Sequence, residues 1–310
     1  MRVLITCPPM LGKIHDLRHL FDQKQVDMFC PAVVQTLSED ELVGLVPQFD
    51  GWIIGDDPAT RRVFEAGKKG LLKAAVKWGV GVDNVDFTAA NDLAIPVTNT
   101  PNMFGGEVGD VAMSYITALA RETFLIDREV RLGKWPKRNG ISLAGKTLGL
   151  VGLGDIGKAT ARRVLAADMR VIAYDPIARP SVKTDGVELA VWPERVEECD
   201  FIVLTCSLNE GNRHMLNAGV FSRAKRGVRI VNVARGALIA ECDLIDALED
   251  GTVHSAALDV FEAEPLPMSS PLRQFERCIL GSHNGSNTAD AVMRTSERAV
   301  GLLFKFLEVR

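Results

Sequence analysis

A chain of 310 residues is long enough for about two domains, and 47% apolar with 25% charged residues is ordinary globular composition that excludes disorder and fibrous repeats. Thirty-six basic residues stand against 40 acidic ones, so the net charge of −4 gives no global field for holding a polyanion, and no nucleic-acid partner is expected. No stretch reaches about 18 consecutive apolar residues, and the chain opens on a strand-like segment instead of a charged leader, which sets the expectation of a cytoplasmic protein with no membrane partner.

The first hundred residues alternate short β-rich runs with amphipathic ones, at 3–6, 14–23, 26–29, 39–46, 51–54, 60–66, 73–77, 86–92 and 95–97. Repeated β-α of this kind is the pattern of a parallel sheet. Ser38 and Glu41 fit a capping box, a structural signal for a helix start. From Gly105 to about Leu132 runs one long helical pattern, apolar at Val108, Val111, Ala112, Tyr115, Ile116 and Leu119. Its length is enough to pair with a second subunit, so a homodimer is expected. The Asn139-Gly140 turn signal closes it. A second series follows at 147–151, 156–167, 171–174, 201–206, 228–233, 242–249, 254–260 and 278–281, ending in a helix over 288–307. The chain reads as α/β, with two doubly wound parallel-sheet domains. Its six cysteines, Cys7, Cys30, Cys199, Cys206, Cys242 and Cys278, form no C-x-x-C and no His/Cys cluster at zinc spacing, so no metal is expected.

The sharpest local signal is Gly152-Leu153-Gly154-Asp155-Ile156-Gly157, which follows an apolar strand and opens an amphipathic helix. Gly152 makes the tight turn, Gly154 lets backbone approach a pyrophosphate, and Gly157 lets helix pack on strand. The helix start then offers N–H groups and a favourable dipole to the phosphates. Eighteen residues beyond Gly157, at the end of the next strand, Asp175 is placed to accept from the ribose hydroxyls and to repel a 2′-phosphate. The expected cofactor is therefore NAD, with Arg179 the one nearby residue that could favour NADP.

Three later segments each carry a polar residue just past a buried-strand run, where a doubly wound sheet presents its ligand-facing ends. They are Arg235, Glu264 and His283. Singly, each has an ordinary explanation as a surface charge or a satisfied structural group. Together with KWGVGVDNVD at 77–86, NTP at 99–101, NVARG at 232–236, LDVFEAEPL at 258–266 and HNGSNT at 283–288, they give the chain a resemblance, over nearly its whole length, to the D-isomer-specific 2-hydroxyacid dehydrogenases, closest to the phosphoglycerate dehydrogenase branch.

The resemblance implies a Rossmann-type NAD domain at 101–287 inserted into a flavodoxin-like substrate domain at 1–100, completed by 288–310. It implies His283 as the acid that protonates a 2-oxo acid, Glu264 as the group that fixes its tautomer, and Arg235 as the planar fork for the substrate carboxylate. It adds Asp155, Ile156, Ala234 and Asp259 to the cofactor set, and Val80, Gly81 and Asn99 to the substrate set. Lys77 stands where that branch carries a phosphate-binding basic residue; a solvated lysine at a strand end is equally compatible, and Arg61, Arg62 and Lys73 are further candidates. The chain departs from the family where Ser282 precedes and Asn284 follows His283, which puts the pocket shape in question. The implied activity is hydride transfer between nicotinamide and a small 2-oxo or 2-hydroxy acid, phosphorylated ones such as 3-phosphoglycerate included. The alternatives are a glyoxylate, hydroxypyruvate or phosphonopyruvate reductase and, in another class, an NAD(H)-sensing protein resembling the corepressors that share this fold.

Overall fold

The computed structural model describes residues 1–177 and 186–309, which fall into two compact units: Met1–Met103 with Asn287–Arg310, and Phe104–Ser286. Arg179 lies outside the described residues.

In the first unit the apolar runs become β1 (Arg2–Ile5), β2 (Asp27–Phe29), β3 (Gly51–Ile54), β4 (Ala74–Lys77) and β5 (Val97–Asn99), all parallel in the order β2-β1-β3-β4-β5. This is the flavodoxin-like order. Helices α1 (Pro8–Leu11), α2 (Ile14–Asp22), α3 (Glu39–Leu45), α4 (Arg61–Lys69) and α5 (Phe87–Asp92) connect the strands. β3 and β4 are buried along their whole length, as strands covered on both faces must be. Trp52, Ile54 and Phe64 lead one core cluster. The capping box at the start of α3 is present, with Glu41 N–H donating to Ser38 Oγ at 3.3 Å and Ser38 N–H to Glu41 Oε2 at 2.8 Å. β5 starts two residues later than the apolar run at 95–97 indicates. Ile95 N–H bonds Ala90 O at 2.9 Å, so Ile95 finishes the turn after α5 before the strand begins.

The second unit opens with α6 (Gly105–Arg121) and α7 (Thr123–Arg131), not one continuous helix. Glu122, at φ 53° and ψ 34°, breaks the ladder between them. The break coincides with a contact from outside the helix. Segment 138–141 folds back onto the end of α6, where Ile141 N–H takes the Ala120 carbonyl at 2.8 Å and Arg138 pairs with Glu122 at 3.3 Å.

Beyond it come β6 (Thr147–Val151), α8 (Asp155–Leu165), β7 (Arg170–Tyr174), β8 (Val187–Ala190), β9 (Phe201–Leu204), α9 (Ala218–Phe221), β10 (Val228–Asn232), α10 (Glu241–Glu249), β11 (Val253–Leu258) and β12 (Ile279–Leu280). All pair parallel in the order β12-β11-β10-β9-β6-β7-β8. The order reverses between β6 and β9, which is the ligand-binding switch point of a Rossmann sheet. β8 has no counterpart in the sequence reading, because a four-residue edge strand with two exposed positions carries little periodic signal. The last helix, α11 (Ala289–Phe306), returns to the first unit and packs on β3, β4 and α2; there the Trp78 indole donates to Ser296 Oγ at 3.0 Å. Among the described residues no helix is long and apolar enough to cross a membrane.

Candidate active site

The glycine turn sits at the switch point between β6 and α8. Gly152 has φ 96°, a conformation that side chains other than glycine rarely adopt, and its α-carbon faces the backbone of Cys206 beyond β9. A β-carbon at Gly157 would strike the Gly152 carbonyl, so the helix can approach the turn this closely only with glycine there. At Gly154 the same test meets nothing within 4 Å, leaving open space beside the start of α8, whose cap supplies no side-chain hydrogen bond. Asp175 follows β7 and is fixed by two backbone donors, Leu153 N–H at 2.7 Å and Ile177 N–H at 2.8 Å. An open glycine cradle at a helix start with a pinned acid at the next strand end fits NAD: Gly152, Gly154 and the first turn of α8 would hold the pyrophosphate, and Asp175 the ribose. Ile156 is half-buried in α8, while the Asp155 carboxylate packs against Gly105 at the start of α6. Burial pushes the neighbouring Cys206 thiol up to about 11, which leaves it protonated and unreactive.

The other half of the site lies on β10, β11 and β12, three adjacent strands whose C-terminal ends bring distant segments together. Asn232 ends β10, and its side chain shapes the turn that carries Arg235. Oδ1 accepts Ala234 N–H at 3.0 Å and Nδ2 donates to Arg235 O at 2.8 Å. Arg235 Nη1 donates to Ala234 O at 2.9 Å, so the guanidinium is tethered at one corner. At Gly236 a β-carbon would collide with the backbone of Phe261 and Glu262, and its absence lets the arginine turn pass directly beneath the loop that carries Glu264.

His283 Nδ1 stands 2.7 Å from Glu264 Oε2, while Glu264 Oε1 accepts Phe261 N–H at 2.9 Å. A carboxylate only accepts, so Nδ1 is the donor and Nε2 is left as the nitrogen that gains or loses a proton. Behind Glu264, burial and the charges of Glu262 and Glu264 hold the Glu241 carboxyl above its ordinary range. Asp259, buried beyond β11, accepts Asn284 N–H at 3.2 Å and Gly285 N–H at 2.8 Å, and its carbonyl accepts His283 N–H at 2.7 Å. Asp259 thus organises the histidine loop. From sequence Asp259 is expected only in the cofactor set and Asn232 carries no role, although a buried polar residue closing an apolar strand is itself a signal that backbone groups need it.

The substrate candidates on the first unit divide. Asn99 Nδ2 donates to Val80 O at 3.1 Å, and Thr100 Oγ1 accepts Gly79 N–H at 2.8 Å, so the end of β5 pins the half-buried Val80-Gly81 loop. Lys77 is no solvated lysine. Its side chain is 3% exposed, and the ammonium donates to Gly55 O at 2.6 Å and Asp56 Oδ1 at 2.9 Å. β4 lies inside the sheet, and an ammonium buried at its end requires such partners. Arg61, Arg62 and Lys73 pair with Asp92, with Glu39 and Asp40, and with Asp50.

A Rossmann sheet with an NAD-type turn, and with an arginine and a carboxylate-held imidazole beyond the ends of its neighbouring strands β10 to β12, defines a nicotinamide-dependent oxidoreductase. Comparison with known proteins narrows the class. The family model for the NAD binding domain of D-isomer specific 2-hydroxyacid dehydrogenases matches residues 113–285. The chain is 38% identical over 279 residues to hydroxypyruvate reductase of Thermotoga maritima, spanning 88% of this chain and 90% of that one. It is 37% identical over 259 residues to D-3-phosphoglycerate dehydrogenase 2, chloroplastic, of Arabidopsis thaliana, spanning 82% of this chain but 41% of that relative. The crystal structure of TT0316 protein from Thermus thermophilus superposes with a TM-score of 0.87 at 31% identity, covering 100% of this chain and 98% of that one. The chain belongs to the D-isomer specific 2-hydroxyacid dehydrogenase family and is an NAD-dependent oxidoreductase.

Proposed function

We propose that this protein reduces a small, unphosphorylated 2-oxo acid of the hydroxypyruvate or glyoxylate class to the D-2-hydroxy acid. NADH, held by the Gly152–Gly157 turn and Asp175, would supply the hydride to C2. The Arg235 guanidinium binds the substrate carboxylate and polarises the carbonyl, and His283 Nε2 delivers a proton to the carbonyl oxygen as the hydroxyl forms. Glu264 keeps Nδ1 protonated throughout. Residues 1–100 with 288–310 form the substrate-binding domain, to which the Val80-Gly81 loop contributes backbone donors and Asn99 the support for that loop. Residues 101–287 form the NAD-binding domain, with Ala234 and Asp259 at the nicotinamide end. The observation that carries this reading is the 2.7 Å contact of His283 with Glu264 on the sheet edge that also presents Arg235.

The neutralised Lys77 favours an unphosphorylated acid. Its ammonium is committed to Asp56 and Gly55, and releasing it to meet a phosphate would leave the Asp56 carboxylate without that partner. Likeness to D-3-phosphoglycerate dehydrogenase supports the second reading, a phosphorylated acid. NADH oxidation measured against hydroxypyruvate, glyoxylate, pyruvate, phosphonopyruvate, 2-oxoglutarate and 3-phosphohydroxypyruvate decides between them. Highest kcat/KM on hydroxypyruvate or glyoxylate is the expected result. A preference for 3-phosphohydroxypyruvate would establish the second reading, and tight NADH binding with no turnover on any acid would favour a sensing role. We also propose a cytoplasmic homodimer: Phe124, Leu132 and Trp135 are exposed on and just beyond α7, and a sedimentation mass of one chain would overturn the pairing.

Replacing Asp175 by Ala removes the acceptor for the ribose hydroxyls and the charge that opposes a 2′-phosphate. One such hydrogen bond contributes about 1.5 kcal/mol, so the NAD to NADP preference should fall by about tenfold or more. Dinucleotide ratios of kcat/KM measure this, and an unchanged ratio would place the ribose elsewhere.

A further inference from the structure

The loop that carries His283 is held by a carboxylate that also meets helix α6. From the loop itself Asp259 receives Asn284 N–H and Gly285 N–H, and His283 N–H bonds its carbonyl. His283 sits at φ 55°, a backbone conformation that a residue with a β-carbon keeps only where its surroundings hold it. The carboxylate's neighbour on α6 is Tyr115, whose hydroxyl and Asp259 Oδ1 both crowd the space that a Gly281 β-carbon would take. Burial beside that negative charge pushes the phenol up to about 12, so it stays protonated at neutral pH.

Tyr115 occupies the apolar stripe of α6, among Val108, Ala112, Ile116 and Leu119, where an aliphatic side chain would pack as well. A hydroxyl in such a stripe needs a partner, and the loop is built to supply one. A β-carbon at Gly281 would strike Asp259 Oδ1 and lie 2.7 Å from the Tyr115 oxygen, so this glycine is what makes room for the phenol against the carboxylate. A β-carbon at Gly285 would lie 3.7 Å from the Val108 methyls, so the preceding helical turn also abuts the loop. α6 is therefore the floor on which residues 281–285 rest.

We propose that Tyr115 is a positioning residue of the reaction: through Asp259 it holds the 281–285 loop, and with it the His283 imidazole, in the geometry that proton transfer requires. The inference rests on the reading of His283 as proton donor given under Proposed function. It predicts that Tyr115→Phe, which keeps the ring and removes the oxygen, lowers kcat by about tenfold or more. KM for the 2-oxo acid should stay within about threefold, because Arg235 is untouched, and the NADH Kd should rise by no more than about tenfold, because Asp259 at the nicotinamide end is disturbed while the glycine turn is not.

The test compares Tyr115→Phe, His283→Ala and the double variant by steady-state reduction, NADH titration and thermal unfolding, with the His283 ring resonances of the Tyr115→Phe protein followed by NMR. The expected results are a kcat loss in the parent background that shrinks to less than about twofold once His283 is gone, and shifted or broadened His283 resonances. Parent-like kcat with unchanged resonances would overturn the positioning role, as would an equal fold-loss in both backgrounds, which a purely structural contribution gives. Full turnover in His283→Ala would instead overturn the acid role itself. Lost turnover in His283→Ala beside an unaffected Tyr115→Phe would overturn this inference alone.

Discussion

Replacing His283 by Ala should lower kcat for 2-oxo acid reduction by about 1,000-fold, the middle of the range that a positioned general acid contributes, while leaving the NADH Kd within about threefold. The split follows from placement. His283 stands beyond β12 with Nδ1 bound to Glu264, whereas the glycine turn and Asp175 stand beyond β6 and β7 on the other half of the sheet. Glu264→Gln sharpens the same argument. Both Glu264 oxygens are acceptors, one for Phe261 N–H and one for His283 Nδ1, and glutamine has a single carbonyl oxygen to serve the two. Either the Phe261 bond is lost or an amide N–H faces Nδ1 and drives the imidazole to the wrong tautomer. A kcat loss of about 10- to 1,000-fold is expected, smaller than that of His283→Ala because the imidazole remains. Steady-state kinetics beside NADH titration check both variants. A His283→Ala enzyme with more than a tenth of parental kcat, or one that loses cofactor binding to the same degree, would contradict the assignment.

How much of this was legible beforehand depended on which physical signal each feature left in the chain. The two doubly wound units were, because β1, β3, β4 and β6 are buried on both faces and leave unbroken apolar runs between amphipathic helices. The glycine turn was also legible, since Gly152 and Gly157 are demanded by backbone geometry that no other residue satisfies cheaply. Arg235, Glu264 and His283 could be singled out as polar residues at strand ends, but their meeting depends on β10, β11 and β12 being neighbours, which no single segment encodes.

Features created by a partner from elsewhere in the chain were not legible. The break at Glu122 coincides with Ile141 and Arg138 folding back, and the local periodicity of 105–132 runs through it undisturbed. Lys77 resembled any strand-end lysine, because its burial is imposed by the turn at Gly55 and Asp56. Tyr115 fits the apolar stripe of α6, so periodicity accounts for its ring and not for its hydroxyl, and the approach to Asp259 and Gly281 is what gives that oxygen a purpose.

Arg235→Ala should produce a different signature from His283→Ala, because the guanidinium is assigned to binding as much as to chemistry. Two charge-assisted hydrogen bonds to a carboxylate contribute about 1.5–3 kcal/mol each, which at about 1.4 kcal/mol per decade corresponds to a loss of roughly 100- to 10,000-fold in kcat/KM. Much of that loss should enter through KM, with NADH affinity unaltered. Arg235→Lys should recover only a small part, because an ammonium offers a point charge where Asn232 and Gly236 have shaped the turn for a planar fork. The assignment has a test that general damage to the site cannot imitate. A neutral aldehyde presents a reducible carbonyl with no carboxylate, so Arg235 keeps only its polarising role there. On such a substrate the parent enzyme should be poor and Arg235→Ala poorer by little, collapsing the ratio between them from roughly 100- to 10,000-fold to within about tenfold. If the ratio stayed as large on the aldehyde as on the 2-oxo acid, polarising the reacting carbonyl or holding the fold of the β10 turn would account for the whole of the Arg235 effect, and the anchor for the carboxylate would have to be sought in the Val80-Gly81 loop.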